Sequence, residues 1–201
     1  PLPREQRYDV PLDDNIELLV DFAQGFHIEL ADTLQRALPS FNEIARCQPD
    51  AIAALDSDRV VSHGDMDQKN VLWDGDGKPW LIDWESARWL NPGYEALLQA
   101  LNWSGITGHF SPEVFSAFLE TYTRAGGKFD QHQLGAAYQC VLCDWLNWLM
   151  YNVGRCMDME EPEQRAVGQR QVALALSTLQ HVMDRVPGLL GLPDALSLGE
   201  T

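Results

Sequence analysis

Two short apolar runs, separated by an Asp-Gly-Asp-Gly-Lys segment, restrict how the middle of this chain can fold. Asn70–Trp73 and Pro79–Asp83 each have the length and composition of a strand. A glycine after an aspartate supplies the positive φ that a tight hairpin turn needs. The spacing therefore predicts a β-hairpin within a small β region at about residues 59–83.

Two Asp-Gly steps compete for the turn, and each sets a different register. The second step, at residues 76–77, places Asn70 directly opposite Asp83 and pairs apolar residues along the rest of the ladder. The first step, at residues 74–75, places Asn70 opposite Pro79 and loses that matching, so we favour the second. A loop of four or five residues also remains open. The favoured register pairs Trp73 with Trp80, Leu72 with Leu81, and Val71 with Ile82.

Three oxygen-bearing side chains border the hairpin. In the favoured register the Cβ atoms of Asn70 and Asp83 lie ~5 Å apart, so an amide oxygen and a carboxylate could share one hard cation. Mg²⁺ usually takes one or two protein ligands and keeps its other positions for water and phosphate oxygens. Asp65 lies on the loop that enters the hairpin, five residues before Asn70, and can approach from the substrate side.

Helical patterns flank the β region. An apolar stripe predicts a long helix at residues 13–38 that Pro39 ends, followed by two short helical pieces at 40–47 and 49–56. Helices on either side of one small sheet give a mainly helical α+β fold class. Further helices are expected at residues 92–103, 112–125, 130–153 and 161–185, the last closed by Pro187-Gly188.

The chain is strongly acidic, because 14 Lys and Arg against 30 Asp and Glu give a net charge of −16. Such a surface repels nucleic acid and anionic membranes and attracts cationic small molecules, although an acidic surface can also serve solubility alone. No apolar run is long enough to span a membrane. Four cysteines without a framework spacing indicate reduced thiols, and Cys140 and Cys143 lie in an apolar helical pattern that predicts burial. We therefore expect a cytoplasmic protein with neither a nucleic-acid nor a membrane partner.

The loop and the hairpin carry two motifs at a specific spacing. His63–Asp65 is followed after four residues by Asn70, and Ile82–Glu85 lies downstream. Together they resemble the catalytic and metal-binding segments of the aminoglycoside phosphotransferase family, which is related to choline kinases and more distantly to protein kinases. Asn91–Glu95 is similar, more weakly, to the Pro-x-x-Asp-Leu segment of that family.

The resemblance implies a role for each matching residue. Asp65 would be the catalytic aspartate that orients the acceptor hydroxyl and takes its proton, while Asn70 and Asp83 would hold Mg²⁺ on the phosphates of ATP or GTP. Phosphoryl transfer depends mainly on positioning and charge neutralisation, so these few side chains suffice. The residues expected to brace, turn and anchor the loop are His63, Gly64 and Glu95.

Other positions are candidates for contact with phosphate or acceptor. Lys69 could reach a γ-phosphate or be an ordinary surface lysine, and Asp67, where relatives often carry histidine, could bind a substrate amine, bind a water or face solvent. Glu85 could contact substrate or an arginine. Asp144 and Trp148 lie in an aromatic helical stretch that could line an acceptor pocket or pack in the core. With the acidic charge, these residues favour a small, amine-bearing acceptor.

One part of the family pattern is missing from this sequence. Family members carry an N-terminal nucleotide-binding lobe with a phosphate-covering loop, and nothing in residues 1–60 resembles it. We therefore expect residues 1–201 to be a kinase-like C-terminal lobe, with a catalytic core in about 1–104 and a helical substrate-binding part in about 105–201. We expect a longer polypeptide to supply the missing lobe in cis, and little phosphoryl transfer by this piece alone.

Two other classes of function remain open. A kinase-like lobe could serve as a non-catalytic module that binds a ligand or partner, but such a module has no need to keep Asp65, Asn70 and Asp83 together. A metal-dependent hydrolase built on His63 would need further ligands at metal-binding spacing, which the other histidines do not have. The sequence favours an ATP- and Mg-dependent small-molecule O-phosphotransferase.

Overall fold

The computed structural model of the chain places its residues in two compact units. The first comprises residues 1–10 and 50–141, and the second comprises residues 11–49 and 142–201. The expected division near residue 104 into a catalytic and a substrate-binding part concerns function and stays a prediction. The structure describes residues 12, 16–26, 28–128, 130–157, 161–192 and 198.

The chain is mainly helical, with two small antiparallel strand pairs, so the predicted α+β class is confirmed. Strand β1 (Val60–Ser62) pairs with β4 (Arg88–Leu90), and β2 (Val71–Trp73) pairs with β3 (Pro79–Leu81). The helices in the described ranges are α1 (Ile16–Gly25), α2 (Ala31–Leu55), α3 (Pro92–Trp103), α4 (Pro112–Arg124), α5 (Leu134–Cys156) and α6 (Pro162–Leu190).

Strand β4 was not predicted, because three residues are too short to show an alternating pattern. Its pairing with β1 sets Val61 opposite Trp89 and Ser62 opposite Arg88. After β1 the chain therefore forms a loop and the β2–β3 hairpin, and β4 then brings it back next to β1. All residues of the predicted catalytic motifs before Asn91 lie in the stretch between β1 and β4.

The hairpin forms as predicted, but the favoured register is wrong by one residue. The ladder pairs Leu72 with Trp80, and the Ile82 N–H donates to the Asn70 carbonyl oxygen at 3.0 Å. Asn70 therefore lies opposite Ile82, and Asp83 lies one residue further along.

Asp74 provides the physical reason for this register. Gly77 N–H donates to Asp74 O at 3.0 Å, Asp74 N–H donates to Lys78 O at 3.1 Å, and Gly77 has a φ of 76°. This is a type I turn followed by a glycine bulge, within the longer loop that the sequence left open. The Asp74 carboxylate also accepts bonds of 2.9–3.0 Å from the N–H groups of Asp76 and Lys78 and from the Trp80 indole.

The single helix predicted at residues 13–38 is wrong. Residues 13–15 lie outside the described residues, α1 ends at Gly25, and Leu30 adopts a positive φ of 71° just before α2 begins. The apolar stripe therefore belongs to two helices, and periodicity alone did not reveal the break.

Pro39 does not end a helix, and the two short pieces expected after it are one helix. Both Pro39 and Pro49 lie inside α2. A proline in a helix interior costs about 3 kcal/mol. Burial of the apolar face of α2, including Phe41 and Ile44 with no exposed surface, offsets that cost. Pro187 likewise lies inside α6, which ends at Leu190 and is followed by Gly191 with a φ of 65°.

Each unit has its own buried apolar side chains. In the first unit α3 packs against α4, and in the second the buried side chains come from α1, α2, α5 and α6. Cys140 and Cys143 are buried on α5, as predicted. In the described part of the chain, no helix combines the length and hydropathy needed to cross a bilayer. Fully enclosed examples are Leu97, Leu101 and Ile106 in the first unit and Leu34, Leu142 and Leu146 in the second.

Candidate active site

The loop between β1 and β2 folds around its own polar side chains. Its last three residues, Gln68–Asn70, form a 3₁₀ turn that Asp67 caps, since Asp67 Oδ1 accepts from the Gln68 N–H at 2.7 Å. The Asn70 N–H donates to the Asp67 carbonyl oxygen at 2.9 Å. The turn directs the Asn70 side chain back along the loop, towards Asp65.

Asp65 and Asn70 are joined directly. Asn70 Nδ2 donates to the Asp65 carbonyl oxygen at 2.7 Å and to Asp65 Oδ2 at 3.0 Å. Both partners are acceptors, so the amide nitrogen must face them and Oδ1 must point away. Among the described residues Oδ1 has no hydrogen-bond donor. The buried Asn70 amide therefore binds the loop with its nitrogen, while its oxygen points away from Asp65.

Lys69 contacts the same carboxylate oxygen. Its Nζ lies 3.2 Å from Asp65 Oδ2, and the Lys69 side chain is 64% exposed against 23% for Asp65. Such an exposed pair stabilises the fold by about 1 kcal/mol at most, so the lysine can leave it easily. Asp65 Oδ1 accepts no hydrogen bond from the part of the chain described.

His63 ties the loop to the end of the hairpin. Its Nε2 lies 2.8 Å from the Ile82 carbonyl oxygen, which can only accept, so Nε2 carries the proton. Nδ1 is then the acceptor, and the Asp65 N–H lies 3.4 Å from it. The buried ring also packs against Trp84, with 4.6 Å between ring centroids. His63 therefore links the backbone next to Asp83 to the backbone of Asp65.

Asp83 has an unusual backbone for an aspartate. Its φ of 62° and ψ of 59° are left-handed, and its side chain does not cap the 3₁₀ turn Trp84–Ser86 that follows. A left-handed residue other than glycine costs roughly 1–2 kcal/mol. Its exposed carboxylate makes no hydrogen bond or ion pair with other described residues. Strain together with an unused charged group indicates a functional position.

Asn70 and Asp83 fit a magnesium ion by the chemistry of their oxygens. An amide oxygen and a carboxylate are the hard ligands that Mg²⁺ prefers. Within the described ranges, no group of three or more His, Cys, Asp or Glu side chains is arranged to hold a metal. A Mg²⁺ ion commonly takes only one or two protein ligands and keeps its other positions for water and phosphate.

Gly64 and Glu95 connect the loop to α3. Gly64 has a φ of 78°, and its N–H donates to Glu95 Oε1 at 3.2 Å. A Cβ at position 64 would lie 2.3 Å from the Ser86 carbonyl oxygen, so only glycine fits there. Asn91 fixes the start of α3, because its Oδ1 accepts from two first-turn N–H groups at 2.9 and 3.2 Å.

The family comparison covers the same part of the chain. The sequence model of the phosphotransferase enzyme family matches residues 2–136, which include the loop, the hairpin, α3 and α4. The chain belongs to the phosphotransferase enzyme family. The predicted resemblance to aminoglycoside phosphotransferases is thereby confirmed. No curated protein and no solved structure matches the chain.

Three predicted acceptor contacts of this phosphotransferase lie away from Asp65 in sequence. Glu85 is exposed in the turn after Asp83. Asp144 and Trp148 lie on α5 beyond the family match, in the second unit. Trp148 is 41% exposed and stacks on Tyr151 with 5.5 Å between centroids, so it is not a core residue. Their contact with an acceptor stays a prediction.

Three residues near the loop were missed by the sequence analysis. The Trp103 indole donates to the Met66 carbonyl oxygen at 3.1 Å, and Arg88 Nε donates to Ser86 O at 2.9 Å. Gln99 lies buried beside Glu95 on α3. No motif marks these residues. A prediction of β4 would have placed Arg88, because β4 returns the chain beside β1.

Proposed function

We propose that this phosphotransferase transfers the terminal phosphoryl group of ATP, or of GTP, to a hydroxyl group of a small molecule, with Mg²⁺ as cofactor. The observation that supports it most is the turn that joins Asp65 to Asn70 by bonds of 2.7 and 3.0 Å. That turn links a proton acceptor to a cation ligand in one rigid unit. A module that only binds a partner has no need for this link.

Asp65 is proposed to act as the base. Asn70 and Lys69 both contact Oδ2, so Oδ1 is left to accept the proton of the acceptor hydroxyl. The acceptor oxygen forms a bond to the γ-phosphorus, the bond from that phosphorus to the bridging oxygen breaks, and the nucleoside diphosphate leaves. The hydroxyl proton passes to Asp65.

Charge neutralisation is assigned to residues on either side of the base. Bound Mg²⁺ would neutralise the phosphate charge, held by Asn70 Oδ1 and the Asp83 carboxylate. Lys69 is proposed to bind the γ-phosphate, since its exposed ammonium group lies beside Asp65 in a weak ion pair that a phosphate can displace.

The acceptor is proposed to carry an amine. The net charge of −16 favours cationic ligands over anionic ones. Asp67 uses Oδ1 to cap the 3₁₀ turn, which leaves Oδ2 for a substrate amine, and Glu85 offers a second exposed carboxylate. Asp144 and Trp148 on α5 are the other proposed acceptor contacts.

We further propose that a nucleotide-binding lobe in cis covers the β2–β3 hairpin of this kinase-like C-terminal lobe. Leu72 and Trp80 face one side of the hairpin and are 52% and 53% exposed, while Trp73 faces the other and is 62% exposed. A lone two-stranded hairpin is at best marginally stable, and an exposed apolar patch indicates an interaction surface. The expected lobe provides the missing cover.

The test uses a polypeptide that contains residues 1–201 together with the proposed nucleotide-binding lobe, labelled ATP, Mg²⁺ and a panel of amine-bearing alcohols. Asp65→Asn should lower kcat by about 10²–10⁴-fold, the usual contribution of a general base, and leave ATP binding intact. Asp83→Asn should raise the Mg²⁺ concentration needed for half-maximal rate. Asp76→Asn, on the exposed hairpin loop, is the matched control and should change neither.

Three outcomes would contradict these proposals. An active Asp65→Asn variant would remove the assigned base, and metal-dependent hydrolysis without a nucleotide would favour the hydrolase. Robust transfer by residues 1–201 alone would overturn the separate lobe while leaving the chemistry in place.

A further inference from the structure

Gln99 on α3 is a buried polar side chain that makes no hydrogen bond with the described residues. It is 2% exposed, and its enclosed Oε1 accepts no hydrogen bond. Its Nε2 likewise donates to no described residue. An amide buried without hydrogen bonds costs free energy, and native proteins usually satisfy such a group with protein or with bound water.

Gln99 lines a small cavity behind the catalytic loop. Gly64, Arg88 and Glu95 contribute polar groups, and Leu90, Tyr94 and Leu98 line the rest. The cavity leaves about 10 Å³ for the centre of a water molecule. One ordered water needs about 10–15 Å³ measured in that way, so the space suits one ordered water.

The polar groups around this cavity suit a neutral ligand. Glu95 uses Oε1 to accept from the Gly64 N–H at 3.2 Å and keeps its second oxygen. Arg88 uses Nε to donate to the Ser86 carbonyl oxygen at 2.9 Å and keeps its terminal nitrogens. Arg88 would repel a cation and Glu95 would repel an anion. A water can both donate to the carboxylate and accept from the guanidinium or the amide.

We propose that Arg88, Glu95 and Gln99 bind one ordered water molecule, which holds the Glu95 carboxylate in the orientation that bonds the Gly64 amide. Gly64 is the neighbour of Asp65, so Gln99 is a positioning residue for the catalytic loop. The water site depends on the cavity and its polar groups. Its effect on phosphoryl transfer rests on the proposed function.

The first test is a crystal structure of residues 1–201 at a resolution that shows ordered waters. The expected result is a water within hydrogen-bond distance of the Gln99 amide and the Glu95 carboxylate. Gln99→Met, which keeps the volume and removes the polar atoms, should lose that water. A dry cavity in the wild type, or a direct bond from Gln99 to Glu95, would overturn the proposal.

The second test measures hydrogen exchange at the Gly64 amide. Gln99→Met should speed its exchange about fivefold, the factor that one hydrogen bond of average strength gives. Gln131→Met makes the same change at an exposed glutamine and should leave the rate unchanged. Equal exchange in the wild type and Gln99→Met would also overturn the proposal.

The two proposals fail in different ways. In a phosphoryl-transfer assay of the longer polypeptide that also carries the proposed nucleotide-binding lobe, Gln99→Met should lower kcat at an unchanged KM for ATP. If the wild type transfers no phosphoryl group, the proposed function is wrong. The water site is still tested separately, by the crystal structure and the exchange rates. A dry cavity with active enzyme removes the water site alone.

Discussion

At the scale of single residues, Gly64 meets two separate constraints. Its φ is 78°, and a Cβ there would lie 2.3 Å from the Ser86 carbonyl oxygen. Gly77 meets only the first, with a φ of 76° and nothing within 4 Å of its Cβ position. Gly75 meets neither. Alanine variants at these three glycines can therefore distinguish the cost of backbone strain from the cost of the steric clash.

Among the alanine variants of these three glycines, we predict that Gly64→Ala destabilises the protein the most. Gly77→Ala should cost roughly 1–2 kcal/mol of unfolding free energy, the strain of a left-handed alanine. Gly64→Ala should cost more, because the loop backbone must also move away from Ser86. Urea denaturation of the three variants measures the free energies.

Gly75→Ala is the matched control and should lie within about 0.5 kcal/mol of the wild type, as surface substitutions usually do. Equal costs for Gly64→Ala and Gly77→Ala would show that the contact with Ser86 imposes no constraint.

The sequence was a good guide to side chains that are close along the chain. Asp65 and Asn70 are five residues apart, and one turn brings them together. Trp103 bonds to the loop from α3, and Gln99 on the same helix lines a cavity with Gly64. Both residues lie more than 30 residues later in the chain, and no local pattern records such a placement. Partners fixed by tertiary packing were therefore not predictable from a single sequence.

At the scale of elements, the hairpin depends on the charge of Asp74. The Trp80 indole and the N–H groups of Lys78 and Asp76 donate to this carboxylate and hold its pKa below the usual value. A lowered pKa in the folded state means that the stabilisation is complete above the unfolded value, about 3.9. It is lost as the pH falls through the lower, folded value.

We therefore predict that the hairpin loosens in acid, below about pH 4. The indole N–H signal of Trp80, followed by NMR, should shift towards that of a solvent-exposed tryptophan as Asp74 is protonated. Asp74→Asn keeps an acceptor oxygen but has no charge, so its Trp80 signal should not depend on pH in this range.

Asp76→Asn removes a carboxylate from the same loop without removing these side-chain bonds, and it should titrate like the wild type. A Trp80 signal that shifts equally in Asp74→Asn would assign the transition to another group.

Elements were predicted more reliably than their ends and registers. The helix at 92–103 was predicted correctly because Asn91 caps its start and Pro92 opens it. The hairpin register was missed because the Asp74 side chain selects a longer loop than the Asp-Gly pattern suggests. In α2, burial outweighed two prolines that signal a helix end in the sequence.

At the scale of the whole molecule, several strongly exposed apolar side chains lie on or between β1 and β4 of the first unit. The exposed side chains there include Val61, Leu72, Trp73, Trp80 and Trp84, all between 52% and 62% exposed. Isolated hydrophobic residues on a protein surface are ordinary. Several of them in one short part of the chain indicate a surface that another domain or protein covers. The composition did not reveal this, since it reports how many apolar residues exist and not where they lie.

We predict that residues 1–201 alone bind an apolar fluorescent dye through the hairpin. Replacing Leu72 and Trp73 together with Gln should lower dye fluorescence clearly, because the two side chains lie on opposite faces of the exposed ladder. Titration of the dye against both proteins measures the change.

Val114→Gln on α4 is the control, since Val114 is 46% exposed in a different part of the same unit. If dye binding is unchanged by the Leu72 and Trp73 replacements, the apolar binding surface lies elsewhere. That result would remove the support for a covering lobe.

The pairing of β1 with β4 has a consequence for how such enzymes can diversify. The stretch between Ser62 and Arg88 starts and finishes at facing positions of one short ladder. The two ends of this stretch are therefore adjacent in space. Segments whose ends lie close together tolerate insertion and exchange well. The loop, the proposed metal ligands and the tryptophans of this stretch can thus be exchanged as one segment, while the path of the surrounding helices stays the same.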